Sequence, residues 1–126
     1  MGRATTYRMR SRNKFGNKKV SCDGITFDSI KEYNRYIELK FLLHSGKIKN
    51  LEIHKPFELR PSFRNAKTGK MERPERYYAD FVYYDNERGE TVVEDVKSTA
   101  TAKDALYRSK KKRMAYQFGI YIEEIY

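Results

Sequence analysis

The sequence holds few of the residues that build disulfide or zinc scaffolds. Cys22 is the only cysteine in 126 residues, so neither an internal disulfide nor a cysteine-based zinc site is available. The two histidines, His44 and His54, have no second group of ligands near them in the sequence. A single cysteine is typical of a reducing compartment, so we expect an intracellular protein.

Long apolar runs are also absent. No stretch approaches the roughly 20 apolar residues that a membrane-spanning helix needs. The N-terminal residues lack the apolar stretch of a secretory signal. We therefore predict neither a membrane span nor a signal peptide, and the length of 126 residues fits one compact domain.

Acidic residues are missing from residues 1–19, which carry seven arginines and lysines. This composition predicts a basic, flexible arm in front of a single domain over residues 20–126. The whole chain has a net charge of +10. Clustered lysines and arginines release counterions from phosphates, so nucleic acid is the first expected partner and an anionic membrane surface the second.

Two capping patterns predict helices. Ser29 and Glu32 have the spacing of a capping box, so a helix should start at Ser29, and Gly46 is well placed to end it. Residues 101–104 repeat the pattern and predict a second helix that ends near Gly119. Glu32 falls inside the apolar arc of the first helix rather than on its polar face.

Strand signals occupy the remaining segments. Residues 77–84 and 91–97 are rich in aromatic and β-branched residues and flank turn residues, which predicts a hairpin. Residues 51–60, around Pro56, predict an edge strand or two short strands, and residues 120–125 predict a closing strand. The order α-β-β-β-α-β implies an α/β fold with a mixed β-sheet flanked by helices.

Alternation along the predicted hairpin brings charged residues to one surface. Because strand residues two apart share a face, Asp80 can lie near Asp95 and Lys97 of the neighbouring strand. Asp95 and Lys97 would be roughly 7 Å apart along the strand. Charges inside apolar strands are costly unless they have a partner, which favours a functional role over simple exposure to solvent.

The predicted proximity of Asp80 and Asp95 indicates a metal site. Two converging carboxylates repel unless a cation lies between them, and their oxygens suit Mg²⁺, with Mn²⁺ possible. Such an ion lowers the pKa of a bound water and stabilises charge on a phosphate oxygen. With Lys97 beside the water, the set has what phosphodiester hydrolysis needs.

Glu32 has two roles that the sequence leaves open with equal weight. It can complete the capping box by accepting a hydrogen bond from the backbone of Ser29. It can also be a third carboxylate of the metal site, because it lies on the buried side of its helix.

Four segments, taken in order, resemble a family of small phage and prophage endonucleases. They are residues 13–19, 24–29 with Glu32, 78–81 and 93–97, and together they span nearly the whole chain. That family belongs to the PD-(D/E)xK superfamily and is related to Holliday-junction resolvases. The resemblance implies a restriction-endonuclease-like α/β core.

The resemblance also implies roles for individual residues. Glu32 is similar to the helix carboxylate of the family, Asp80 to the motif aspartate, Asp95 to the second acidic ligand and Lys97 to the motif lysine. The carbonyl of Val96 would complete the shell of a bound Mg²⁺.

One departure and one choice accompany these assignments. Ala79 stands where the superfamily name has proline, at a position that varies widely. Glu94 competes with Asp95 as the acidic residue. Strand alternation puts Glu94 on the face opposite Lys97, so we prefer Asp95.

Three basic segments are candidate phosphate contacts: the arm, the loop over residues 64–76 and the helix run over residues 108–113. The predicted DNA-binding residues are Arg8, Arg10, Arg12, Lys14, Lys18, Lys19, Arg73, Arg108, Lys110, Lys111, Lys112 and Arg113.

We therefore expect a metal-dependent endodeoxyribonuclease, and specifically a Holliday-junction resolvase that cuts branched DNA in the cytoplasm of a bacterial host cell. Two coordinated cuts suggest a homodimer with two-fold symmetry. Two alternatives stay open. One is a phage nicking or packaging-associated nuclease, and the other is a non-catalytic DNA-binding protein whose carboxylates are structural.

Overall fold

A computed structural model of the protein describes residues 18–126. In chain order, the elements are β1 (Val20–Cys22), β2 (Ile25–Phe27), α1 (Ile30–His44), β3 (Ile48–Arg60), β4 (Phe63–Arg64), β5 (Met71–Glu72), β6 (Glu75–Asp85), β7 (Glu90–Val96), α2 (Thr99–Ala102), α3 (Ala105–Phe118) and β8 (Glu123–Ile125).

The central sheet has four strands in the order β3-β6-β7-β8. The first three are antiparallel, and β8 is parallel to β7 after a crossover through α2 and α3. The predicted α/β class, with a mixed sheet flanked by helices, is therefore confirmed. Two short hairpins, β1-β2 and β4-β5, are additions to the predicted element order.

The first helix begins where its capping pattern predicts. The Ser29 hydroxyl accepts a hydrogen bond from the Glu32 amide at 3.0 Å, and α1 runs to His44. Gly46 follows with a left-handed φ of +79°, and its amide donates to the Leu43 carbonyl at 3.1 Å. Glycine adopts this conformation without the steric cost that a side chain would add.

The predicted start of the second helix is wrong. Ser98 caps the short helix α2, and Thr101 lies inside that helix as the partner in its capping box. Asp104 then caps α3 by accepting a hydrogen bond from the Tyr107 amide at 3.0 Å. The segment thus contains two helix starts, at Ser98 and Asp104, where the sequence pattern predicted a single start. Gly119 ends α3 as predicted, with a φ of +67°.

The predicted edge strand is one long strand rather than two short ones. β3 has 13 residues and pairs with β6 through Pro56, which an edge strand tolerates because one side of its backbone needs no partner. Asn50 and His54 have left-handed φ values of +58° and +55°, so the strand is locally irregular. The predicted hairpin is confirmed as β6 and β7, and the closing strand is shorter than predicted.

The core is divided between the two faces of the sheet. One cluster, packed with α1, includes Phe27, Tyr36, Leu39, Phe81 and Val92. The other, packed with α3, includes Tyr77, Ala79, Val93, Tyr107 and Met114. Within the described span 18–126, no helix is both long and apolar enough to cross a membrane.

The inward-packing side chains of strand β6 change from one face of the sheet to the other beside Asp80. Tyr77 and Ala79 pack in the α3 cluster, whereas Phe81 and Tyr83 pack in the α1 cluster. Regular alternation would put all four on one face. The register with β3 is not shifted here, since Lys55 pairs with Ala79 and Ile53 with Phe81. The ladder between β6 and β7 also stops here, at the pair Phe81 and Glu94. The hairpin of β6 and β7 is therefore open at Asp80.

Candidate active site

The open end of the hairpin faces a pocket of about 220 Å³, which we call the carboxylate pocket. It lies between the N-terminus of α1, the C-terminal end of β7 and the start of α2. Its lining includes all four residues predicted to be catalytic and the predicted backbone ligand: Glu32, Asp80, Asp95, Val96 and Lys97. Residues that are up to 65 positions apart in the sequence, Glu32 and Lys97, thus meet in one pocket.

Asp80 lies at the centre of the negative charge. Its Oδ2 accepts a hydrogen bond from the Val96 amide at 2.8 Å, so the side chain bridges the gap between β6 and β7. Burial raises the pKa of Asp80 well above its usual value, and the charges of Asp95 and Glu32 raise it further. A cation in the pocket would remove this cost, because it favours the ionised carboxylates.

Asp95 is buried and has a donor on each oxygen. Its Oδ2 accepts a hydrogen bond from the Tyr77 hydroxyl at 2.5 Å, and its Oδ1 lies 3.0 Å from the Lys97 ammonium. Burial, followed by the charge of Asp95, raises the pKa of Tyr77. The Tyr77 hydroxyl therefore remains a proton donor that fixes the orientation of Asp95.

Lys97 is held between a carboxylate and an aromatic ring. Its ammonium lies 3.8 Å from the centre of the Tyr107 ring, a cation–π contact provided by α3. Its side chain is 14% exposed, so the ammonium is mostly shielded but open toward the pocket. The ion pair with Asp95 and the ring of Tyr107 together leave the amine little freedom to turn away.

Glu32 serves its helix and the pocket at once. It is 2% exposed. Its Oε1 accepts a hydrogen bond from the Asp28 amide at 2.8 Å, rather than from the Ser29 backbone that a capping box predicts. Its Oε2 lies 3.0 Å from Nε2 of His54. One carboxylate oxygen of Glu32 thus supports the start of α1, while the other contacts His54.

His54 is the residue that the sequence analysis missed. One ligand atom each from Glu32, His54 and Asp80 lies within 4.8 Å of the other two, a spacing at which one metal ion can bind all three. His54 has no ligand group near it in the sequence, but the fold brings it to Glu32 and Asp80. No sequence pattern marks this residue, because its approach to Glu32 depends on the packing of α1 against an irregular edge strand.

The donor chemistry of the pocket fits a divalent cation. Asp80 and Asp95 provide carboxylate oxygens, and these hard ligands suit Mg²⁺ and Mn²⁺. Glu32 adds a third carboxylate, and His54 adds an imidazole nitrogen that Mn²⁺ accepts more readily than Mg²⁺. Burial of Asp80 and the charges of Asp95 and Glu32 raise its pKa, which is the effect that a bound cation would offset.

Glu94, the competing acidic residue, points away from the pocket. Arg35 of α1 binds it through two hydrogen bonds of 2.8 and 2.6 Å, and the Tyr83 hydroxyl donates a third. The bond to Glu94 is the main cause of the raised pKa of Arg35. Glu94 therefore joins α1 to the sheet as a buried ion pair, and Asp95 is the acidic residue of β7 in the pocket.

A protein-family model matches most of the sequence. The family model described as "Protein of unknown function (DUF1064)" matches residues 12–123. The chain belongs to the DUF1064 family. No curated protein and no solved structure matches the chain.

Several basic side chains of α3 in this DUF1064 protein bind other groups within the chain. Lys110 donates to the Arg76 carbonyl at 2.7 Å, Lys111 pairs with Glu124 at 2.8 Å, and Arg113 pairs with Glu75. In residues 18–126, the side chains of Arg108 and Lys112 have no hydrogen-bond or ion-pair partner. These two are therefore the cations of α3 that are free to contact phosphate.

The other predicted DNA contacts lie elsewhere. Arg8, Arg10, Arg12 and Lys14 fall outside the described residues, together with most of the predicted arm. Lys18, Lys19 and Arg73 lie within the described residues 18–126 and are exposed, and their side chains have no hydrogen-bond or ion-pair partner among those residues. The DNA-binding role of all these residues stays a prediction.

Proposed function

We propose that this DUF1064 protein is a metal-dependent endodeoxyribonuclease of the PD-(D/E)xK class. The observation that carries the proposal is the position of Asp80, whose pKa is raised by burial and by Asp95 and Glu32 in a pocket that also holds the Lys97 ammonium. A mixed sheet flanked by helices, with the acidic residues at an open strand end, is compatible with a restriction-endonuclease-like core.

The chain's own groups have separate tasks in this proposal. Asp80, Asp95 and the carbonyl of Val96 would hold the Mg²⁺ or Mn²⁺. When bound, the ion lowers the pKa of a water and neutralises charge on a phosphate oxygen. The Lys97 ammonium, kept in place by Asp95 and Tyr107, can orient the attacking water or donate to the phosphate as its negative charge grows.

Glu32 and His54 complete the other side of the pocket. The Oε2 atom of Glu32, held by His54, can accept a hydrogen bond from a water that enters the pocket. Attack of that water on phosphorus breaks one P–O bond of the backbone and leaves a phosphate end and a hydroxyl end. The proton from the water passes to a pocket base or to solvent.

The proposed substrate is branched DNA, cut by a homodimer. The net charge of +10 favours a polyanion, and the resemblance to resolvase relatives favours a four-way junction. A nicking or packaging-associated nuclease would use the same pocket on another DNA structure. A purely DNA-binding protein would have no use for a lysine beside three clustered carboxylates, so we rank it last.

A substrate panel tests this proposal. The purified protein is incubated with Mg²⁺ and end-labelled duplex, flap, single-stranded and four-way DNA, and the cuts are mapped on each strand. We expect paired cuts near the centre of the four-way junction. Cutting confined to the other substrates would support the nicking or packaging alternative. Intact DNA in every lane, with Mg²⁺ and with Mn²⁺, would overturn the nuclease proposal.

A further inference from the structure

A second cavity lies beside the carboxylate pocket, between α3 and β8. Its volume is about 470 Å³, and its lining includes Tyr121, Tyr126, Arg108 and Lys112. We call it the tyrosine groove. The short helix α2 separates the two cavities, because Thr101 lines the carboxylate pocket and the next residue, Ala102, lines the groove.

The groove presents aromatic rings to solvent. Tyr121 is 77% exposed and Tyr126 is 64% exposed, whereas the neighbouring Ile122 is buried. Within residues 18–126, no ring contact involves Tyr121. An exposed tyrosine ring beside an apolar surface can stack on the flat face of a nucleobase.

The charge of the groove is positive. Arg108 and Lys112 are one helical turn apart on α3, and within residues 18–126 their side chains have no hydrogen-bond or ion-pair partner. The other two charged residues of the groove, Lys111 and Glu124, form an ion pair at 2.8 Å and cancel each other's charge. Two free cations beside an exposed aromatic ring complement phosphates and bases together.

Side-chain contacts join the groove to the carboxylate pocket. Glu124, in the groove, pairs in register with Asp95, in the pocket. The Tyr107 hydroxyl donates to Glu124 at 2.8 Å, while the ring of Tyr107 contacts Lys97. A strand held in the groove would therefore lie at a fixed offset from the predicted metal ligands.

We propose that the tyrosine groove binds an unpaired strand of DNA, with a base stacked on Tyr121 and phosphates contacting Arg108 and Lys112. Base pairing and stacking hide the base faces of a duplex, so only an unpaired strand can offer a base to the ring. The assignment of the groove to the substrate rests on the proposed function. Within the proposed class of branched DNA, the groove therefore favours branches that carry unpaired bases next to the duplex arms.

A second copy of the chain is the competing occupant, because β8 is an edge strand of the sheet. A two-fold symmetric contact through the groove would bring Arg108 and Lys112 of both copies close together. Like charges across an interface oppose binding. The charges therefore favour nucleic acid over self-association at this surface.

The test measures DNA binding by the full chain in EDTA, where no cleavage occurs. One probe is a duplex with a single-stranded tail that carries the fluorescent base 2-aminopurine, and the other is the same duplex with blunt ends. We expect tighter binding of the tailed duplex and quenching of 2-aminopurine as it stacks. Tyr121→Ala should weaken binding to the tailed duplex by about 5-fold or more and abolish the quenching.

Three further variants separate stacking from other effects. Tyr121→Phe keeps the ring and should keep the quenching. Phe41→Ala removes another exposed aromatic residue, 70% exposed on α1, and should change neither measurement. Lys112→Gln should lower the slope of log affinity against log salt by about 0.7 on a single strand.

The outcomes distinguish this proposal from the proposed function. Equal binding and quenching by wild type and Tyr121→Ala would overturn the groove assignment, even if Mg²⁺-dependent cleavage is normal. A groove variant that changes only the oligomeric state in size-exclusion chromatography would overturn it as well. Tyr121-dependent binding of tailed DNA by a protein that never cuts DNA would contradict the nuclease proposal and support the groove.

Discussion

The Oδ2 atom of Asp80 accepts a hydrogen bond from the Val96 amide at 2.8 Å, beyond the last backbone pair of strands β6 and β7. A side chain thus takes the place of a backbone partner where the strands separate. The amide and carbonyl of one strand residue face the same neighbour, so we expect the Val96 carbonyl on the Asp80 side as well. This relationship brings two of the predicted metal ligands, Asp80 and Val96, next to each other.

The raised pKa of Asp80 predicts a stabilising substitution. Because the folded-state pKa lies above the unfolded value, stability is fully present below the unfolded pKa and is lost as pH rises through the folded pKa. Asp80→Asn, measured in EDTA at pH 7, should therefore unfold at a temperature roughly 3 °C or more above wild type. Mg²⁺ should stabilise wild type but not the variant. A lower unfolding temperature for Asp80→Asn without metal would contradict the clustering of charges.

Glu32→Gln separates the two roles of Glu32. The amide oxygen of glutamine can still accept the hydrogen bond from Asp28, so α1 should remain intact by circular dichroism. The charge beside Asp80 is lost, and the cleavage rate should fall by roughly 10²-fold or more. A wild-type cleavage rate in this variant would show that Glu32 only supports the helix.

His54→Asn tests whether His54 positions Glu32. Asparagine tolerates the left-handed φ of +55° at this position, but its side chain is too short to reach Glu32 as the imidazole does. We expect a loss of about 10- to 100-fold in Mn²⁺ affinity, measured by electron paramagnetic resonance, with little change in thermal stability. The Mg²⁺ affinity should fall less, since imidazole suits Mn²⁺ better. Unchanged Mn²⁺ affinity would remove His54 from the site.

Glu124 predicts a loss of stability in acid. Although burial raises the pKa of Glu124, hydrogen bonds from Lys111, Tyr107 and Tyr126 lower it to about 2. Its contribution is therefore present above pH 4.5 and is lost as the pH falls through about 2. Glu124→Gln should cost about 1 kcal/mol at pH 7, discounted for partial exposure. The variant should also show a shallower decline of unfolding free energy between these pH values. Parallel acid profiles would contradict this assignment.

The sequence predicts the features that local chemistry decides. Ser29 caps α1 because its hydroxyl reaches an amide three residues away, and the hairpin of β6 and β7 forms from alternation and turn residues. Strand alternation predicts the face of Asp95, which contacts Tyr77, and Glu94 lies on the other face as predicted, where it binds Arg35. These contacts need only short separations or a regular period.

The features that the sequence left out depend on tertiary packing. His54 reaches Glu32 because an edge strand is irregular and α1 packs above it, and neither fact has a signature in the sequence. Asp104 was predicted to complete a capping box over residues 101–104, but it caps α3 itself. Two helices start in close succession, at Ser98 and at Asp104. Lys110 and Arg113 also bind the Arg76 carbonyl and Glu75, contacts over long separations that no sequence pattern marks, and their predicted role in DNA binding stays a prediction.

Cleavage by matched variants tests the central claim, that Asp80 and Asp95 hold a metal ion for DNA hydrolysis, most directly. Wild type, Asp80→Asn, Asp95→Asn and the control Glu90→Gln are compared in single-turnover cleavage of a four-way junction in Mg²⁺. Binding to the same DNA is measured in EDTA. Glu90 is an exposed acidic residue at the start of the same strand as Asp95. We predict that both aspartate variants bind DNA as wild type does but cut it at least roughly 10³-fold more slowly, while Glu90→Gln cuts normally. Near-normal cutting by Asp80→Asn or Asp95→Asn would contradict the account.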